Sequence, residues 1–145
     1  MSYTVRMLGP SDAPILNQVA PALFDNQIEP RWTAEFLADA RHHLAVALDG
    51  ETVVGMASAV QYVHPDKAPE LWVNEVAVAP THWRRGIGGQ LLHALFARGR
   101  ERGCRAAWVA TEPDNLAARR LYAAVGGVEA PEPMVMVEFN LTQEI

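Results

Sequence analysis

Apolar and polar residues alternate at the start of the chain, where Val5 stands between Thr4 and Arg6. This predicts a short strand over Tyr3 to Leu8, stopped by Gly9-Pro10. Ser11 or Asp12 then offers a helix cap, with Pro14 tolerated in the first turn, so a helix is expected to about Phe24. Trp32, Phe36 and Leu37 recur at helical spacing and predict a second, shorter helix to about Arg41. Between the two, Asp25 to Pro30 is polar and irregular. His43 to Leu48 and Thr52 to Val63 are strand-like runs on either side of Asp49-Gly50, a strong hairpin signal.

Leu71 to Val78 (LWVNEVAV) predicts a further strand whose mixed apolar character suits a central position, and Pro80 ends it. From Gly86, the residues Ile87, Leu91, Leu92, Leu95 and Phe96 form an apolar stripe of a helix that closes near Gly103. Ala106 to Ala110 follows as a buried strand, Pro113-Asp114 opens a helix to about Val125, and Gly126-Gly127 closes it. Met134 to Leu141 (MVMVEFNL) is expected to be a last strand. The succession of elements predicts a mixed sheet with helices on both faces.

Within 145 residues, half of them apolar, a single domain over 1–145 with one active site is expected. No run approaches the roughly 18 apolar residues of a membrane span, and the start of the chain has no signal-peptide pattern. A soluble, cytoplasmic protein without membrane partners is the expectation. Cys104 is the only cysteine and the five histidines have no metal-ligand spacing, so no metal is expected. A net charge of -5 argues against nucleic acid and is compatible with a cationic substrate. Against that acidic background, Arg84, Arg85, Arg98, Arg100, Arg102 and Arg105 form a local basic run, either a solvated helix face or a site for an anion.

The segment WRRGIGGQLL, Trp83 to Leu92, places Gly86 and Gly88 between a strand and a helix. Backbone amides at such a helix start can face an anion, with the helix dipole in support. A Walker loop is excluded because no Lys-Ser or Lys-Thr follows the glycines. A dinucleotide fingerprint would need its third glycine at Leu91, and the chain before it forms an antiparallel hairpin, not a βαβ unit. Alone, the glycines are also compatible with a plain turn before a helix.

The second half of the chain adds a second signal. Asn115, Ala118, Leu121, Tyr122 and Gly126 give N-x-x-A-x-x-L-Y-x-x-x-G on the next predicted helix, and Val78-Ala79-Pro80 gives V-x-P before the glycine loop. In these features the chain resembles the GCN5-related N-acetyltransferase (GNAT) superfamily, along its whole length and in order. Trp83 departs from that pattern by standing where the family loop carries Arg or Gln. The resemblance implies an α/β (α+β) fold, a twisted mixed sheet of about six to seven strands with about four helices on both faces, splayed at strands four and five.

It further implies an acetyl-CoA-dependent N-acetyltransferase, acting by direct attack of a primary amine in a ternary complex. The coenzyme would be held by the backbone of Val76, Ala77 and Val78, by the loop Arg84, Arg85, Gly86, Ile87, Gly88 and Gly89, and by Asn115 and Tyr122. Tyr122 matches the family's proton donor to the leaving thiolate, and Asn115 doubles as an ordinary helix cap. Glu75, an acid within a strand, is the first candidate for the base and Glu70 the second; a structural ion pair is the competing reading. Asp25, Glu29, Glu70, Glu75 and Asp114 are expected to line the acceptor site.

The central segment also resembles the gentamicin-type aminoglycoside 3-N-acetyltransferases, which implies a polycationic sugar amine and an antibiotic-resistance role. A homodimer is a further expectation from the family. Other small amines or protein amines remain as acceptors, as does a catalytically silent coenzyme-binding module. An interaction domain using Trp32, Trp72 or Trp83 is the third class of reading.

Overall fold

A computed structural model describes residues 2–143, so the extreme ends of the 1–145 domain, Met1 and positions 144–145, lie outside the described residues. One sheet runs in chain order through β1 (Thr4–Met7), β2 (His42–Asp49), β3 (Thr52–Tyr62), β4 (Glu70–Val78) and β5 (Ala107–Val109). The first four strands pair antiparallel, and β5 lies parallel to β4. A parallel neighbour requires a crossover, supplied here by helix α2 (Ile87–Glu101). Helix α1 (Pro30–Ala38) precedes β2, and helix α3 (Leu116–Ala124) follows β5. The Asp49-Gly50 turn forms the hairpin that its sequence predicts, with Asp49 opposite Thr52 and Gly50 at φ +61°.

Each sheet face has its own core. Ala45, Ala47, Ala57 and Ala59 present a flat, small-residue surface to Ile87, Leu91, Leu92 and Leu95 of α2. On the other face Leu44, Val46, Val53 and Met56 meet Leu16, Leu23 and Leu37. Small residues beneath α2 let it lie close: a Cβ added at Gly55 would stand 3.0 Å from Ile87 Cγ2 and 3.2 Å from Leu91 Cδ1.

Three expectations need correction. The helix predicted to Phe24 is a single 3-10 turn at Ala13–Asn17. Beyond it the chain is drawn to the sheet, as Val53 N–H donates to Gln18 O and Ala20 N–H to Val53 O, both at 2.9 Å, while Pro21 and Ala22 at φ +61° bar a helix. The second helix ends at Ala38, short of Arg41. Met134 to Leu141 forms no ladder, so the described residues contain five strands and three α-helices, not six to seven and four. The strand pattern is present in that segment but no strand edge lies against it, and a strand exists only by pairing.

Candidate active site

The loop between β4 and α2 owes its shape to two left-handed residues, Arg84 at φ +62° and Gly86 at φ +75°. Gly86 is the residue before α2, and no side chain caps that helix. The first amides of a 15-residue helix therefore lack both intrahelical acceptors and a capping oxygen, which is the arrangement that receives an anion. The two glycines differ in purpose. A Cβ at Gly86 would meet nothing within 4 Å, so conformation selects glycine there. At Gly88 a Cβ would stand 3.0 Å from Leu121 Cδ2, so closeness of α3 selects it. Gly89 likewise faces Val125 at 3.6 Å.

The entry to this loop is pinned by a group that sequence reasoning missed. His82 is buried, its Nε2 lies 2.8 Å from Asp49 Oδ2 in the β2–β3 turn, and its Nδ1 lies 2.8 Å from Thr81 Oγ1. Residues 33 apart in sequence give no local signal for such a pair. Trp83, the departure from the family pattern, donates its indole N–H to Val78 O at 2.6 Å. The basic run is not one patch. Arg84 and Arg85 flank the start of α2, whereas Arg98, Arg100, Arg102 and Arg105 gather at its far end, about 20 Å along a helix of this length. There Arg102 donates to Ala40 O at 3.0 Å, and Arg98 and Arg100 complement the helix C-terminus.

Strand β4 is paired with β5 only through Leu71, Trp72 and Val73, opposite Ala107, Trp108 and Val109. Asn74 to Val78 has no β5 partner, so the splay is present and the Val76–Val78 backbone borders it. On the other side β4 carries a bulge against β3: Ser58 pairs with Glu75 but Ala59 pairs with Val73, leaving Asn74 extra. In consequence Leu71 and Val73 face α2, whereas Asn74 and Glu75 together face the pocket beside α1.

That pocket, about 620 Å³, is lined by Asp25, Glu29, Trp32, Ser58, Asn74 and Glu75 among others. Three of the five expected acceptor-site acids thus converge. Burial, and then the charge of Asp25, raise the Glu75 carboxyl above its ordinary value. A carboxylate so raised holds a proton more readily and suits a base. Glu70 is engaged elsewhere. Its Oε2 accepts from Trp108 Nε1 at 2.6 Å and its Oε1 lies 3.5 Å from Lys67 Nζ, and these partners hold it below its ordinary value. Asp114 is exposed in the loop before α3 and does not line the pocket.

Tyr122 lines a second groove, about 280 Å³, with Leu71, Val73, Phe96, Val109 and Val125. Burial raises its hydroxyl above the ordinary phenol value, so it stays protonated at neutral pH. Tyr122 and Glu75 occupy different grooves, on the α3 and α1 sides of the sheet, with the open β4 edge between them. Asn115 caps α3, its Oδ1 accepting from Ala118 N–H at 3.1 Å, which leaves its amide NH₂ as a donor. The uncapped helix start, with Arg84 and Arg85 just before it, can receive a phosphate group, and the unpaired part of β4 offers free backbone groups to an extended ligand. Among the described residues no cluster of His, Cys, Asp or Glu has metal-site geometry, and no helix is long and apolar enough to cross a membrane.

The chain is similar to proteins of known kind. An L-2,4-diaminobutyric acid acetyltransferase of Streptomyces coelicolor is 37% identical over 95 residues, 64% of this chain and 52% of that protein. An aminoglycoside N(6')-acetyltransferase type 1 of Salmonella typhimurium is 30% identical over 90 residues, 58% of this chain and 62% of that protein. The match therefore spans between half and two thirds of these relatives' length. In fold, the chain is similar to an aminoglycoside acetyltransferase from an uncultured soil metagenomic sample, solved with trehalose, at a TM-score of 0.85 and 20% identity over 96% of both chains. The profile of the acetyltransferase (GNAT) family matches residues 13–126, which hold the cradle, the splay and Tyr122, and the chain belongs to that family.

Proposed function

We propose that the protein is an acetyl-CoA-dependent N-acetyltransferase that acetylates a primary amine on a small molecule carrying further positive charge. The observation that carries this reading is the convergence of Asp25, Glu29 and Glu75 in one pocket across the β4 edge from Tyr122. An anionic pocket attracts a polycation, Glu75 takes the proton that leaves the attacking amine, and Tyr122 returns one to the departing thiolate. Backbone amides at the open β4 edge are placed to stabilise the oxyanion. Both substrates can occupy the protein together because they enter from opposite faces, which favours direct transfer in a ternary complex.

The named substrates of the two relatives, diaminobutyric acid and aminoglycosides, share this chemistry: a primary amine in a molecule with a second amine. The gentamicin-type resemblance points to a 3-amino group, whereas the aminoglycoside relative is a 6'-acetyltransferase, so the 6'-amine is the better assignment within that substrate class. Acetyl-CoA with a panel of aminoglycosides, diaminobutyrate and lysine-bearing peptides, followed by thiol release, tests the proposal. Turnover with di- or polyamines, and product spectra showing the acetylated nitrogen, are expected. Coenzyme binding with no thiol release for any amine would mark a silent binding module instead.

A further inference from the structure

Helix α1 turns one side to the acceptor pocket. Trp32 and Phe36 stand four residues apart on it, so both reach the pocket wall, while Leu37 turns into the core. The two aromatics differ in their support. Phe36 packs against the core, whereas Trp32 is 62% exposed and, among the described residues, belongs to neither core cluster. A single exposed tryptophan says little by itself, since lone apolar side chains are common on protein surfaces. Its surroundings decide what it is for.

The Arg31 guanidinium carbon lies 5.7 Å from the centre of the Trp32 ring, so the indole already holds a cation over its π-face. Arg31 does not line the pocket, so it covers the ring from outside and leaves the pocket-lining part of the indole free. Asp25, Glu29 and Glu75 line the same pocket, whose volume of about 620 Å³ has room for a ring-sized molecule. Carboxylates attract charge but do not read shape: a linear and a cyclic polyamine satisfy them alike. A flat indole does read shape. A saturated six-membered ring with equatorial substituents presents a plane of C–H groups that lies flush on the indole, whereas a linear chain covers only a strip of it.

We infer that Trp32 is a specificity-determining residue, the platform on which a saturated ring of the acceptor lies while Asp25 and Glu29 hold its charged amines. Glu75 then meets the amine that reacts. The acceptor this selects is a polyamine built on a ring, such as an aminocyclitol or amino sugar, in preference to a linear polyamine of the same charge. The inference rests on the proposed acetylation of a cationic amine, and adds to it the shape of the molecule that carries the amine.

The test titrates two tetraamines, ring-bearing neamine and linear spermine, calorimetrically into the full chain with coenzyme A present. The unaltered protein is expected to prefer neamine by about tenfold or more. Trp32→Leu should abolish most of that preference, and Trp32→Phe, which keeps a flat ring, should retain most of it. Asp25→Asn removes charge but not shape, and should weaken both ligands alike. Trp32 takes no part in either core, and circular dichroism confirms that the variants remain folded. An undiminished preference in Trp32→Leu, an equal loss in Trp32→Phe, or an unaltered protein that prefers spermine would each overturn the inference while leaving the cationic acceptor in place. If neither tetraamine binds, the reading of a cationic acceptor fails and the role of Trp32 falls with it.

Discussion

Gly55 lies in β3 beneath the first turn of α2, and replacing it with alanine tests whether sheet packing sets the position of the coenzyme cradle. The added Cβ would meet Ile87 Cγ2 at 3.0 Å, Leu91 Cδ1 at 3.2 Å and Ala47 Cβ at 3.3 Å. Ala47 is fully buried on the neighbouring strand and cannot retreat, so Ile87 and Leu91 must lift by some tenths of an ångström and take the start of α2 with them. Overpacking of this kind costs about 1–3 kcal/mol. Alanine regains roughly 0.5–1 kcal/mol by relieving the entropy cost of glycine in a strand. The difference, a loss of up to about 2.5 kcal/mol, corresponds to a melting temperature lower by up to about 10 °C in a chain of this size. Because Ile87 opens the helix whose free amides are proposed to hold the coenzyme pyrophosphate, coenzyme affinity should fall as well.

Gly50→Ala is the control: it imposes a left-handed φ of +61° on alanine with nothing within 4 Å of the new Cβ. It should cost about 1 kcal/mol and leave coenzyme affinity unchanged. Thermal unfolding and calorimetric titration of acetyl-CoA separate the two effects. If Gly55→Ala lowers stability without weakening coenzyme binding, the cradle is not positioned by this contact and the reasoning fails.

Three further outcomes are expected. Tyr122→Phe should lower kcat by about 100-fold or more with little change in coenzyme KM; an unchanged kcat, with chemistry shown to limit the rate, removes Tyr122 from the acid role. Since burial and Asp25 both raise the Glu75 carboxyl, kcat/KM should climb with pH through that raised value. Asp25→Asn should move this limb to lower pH, and an unmoved limb would assign it to another group. The same shift makes the Glu75 contribution to stability greatest at low pH and lost as pH rises through the raised value. His82→Ala should cost about 1–3 kcal/mol and raise coenzyme KM by loosening the loop entry; unaltered KM in a folded variant would show that the Asp49 tie does not hold the loop.

The strands and the two long-range signals of the site were legible wherever the signal is local. Asp49-Gly50 specified its hairpin, the stripe from Ile87 to Phe96 specified α2, and the glycine loop with the Tyr122 helix specified the family. The failures come from competition between local and distant partners. Ser11 to Phe24 carries helical spacing, but two bonds to Val53 outweigh it beyond Asn17. Met134 to Leu141 carries the strand pattern, yet pattern supplies no edge to pair with. Among the acids, composition could not separate Glu70, which is engaged by Trp108, from Glu75, which faces the pocket. The arginines adjacent in sequence divide between the two ends of one helix, because a run along a helix is also a distance.

The extra residue at Asn74 has a consequence for how this strand tolerates change. Alternation along a strand is a matter of parity, and one surplus residue inverts the parity of everything beyond it. Glu75 shares odd numbering with Leu71 and Val73, and it looks to the acceptor side only because the count has been offset by one. Any change that keeps Asn74 but irons out the bulge would turn Glu75 inward against α2 and rotate Val76 and Val78 outward, whereas deletion of Asn74 would restore plain alternation with Glu75 still on the pocket side. The location of the carboxylate is therefore encoded in the register of β4 against β3 as much as in its letters.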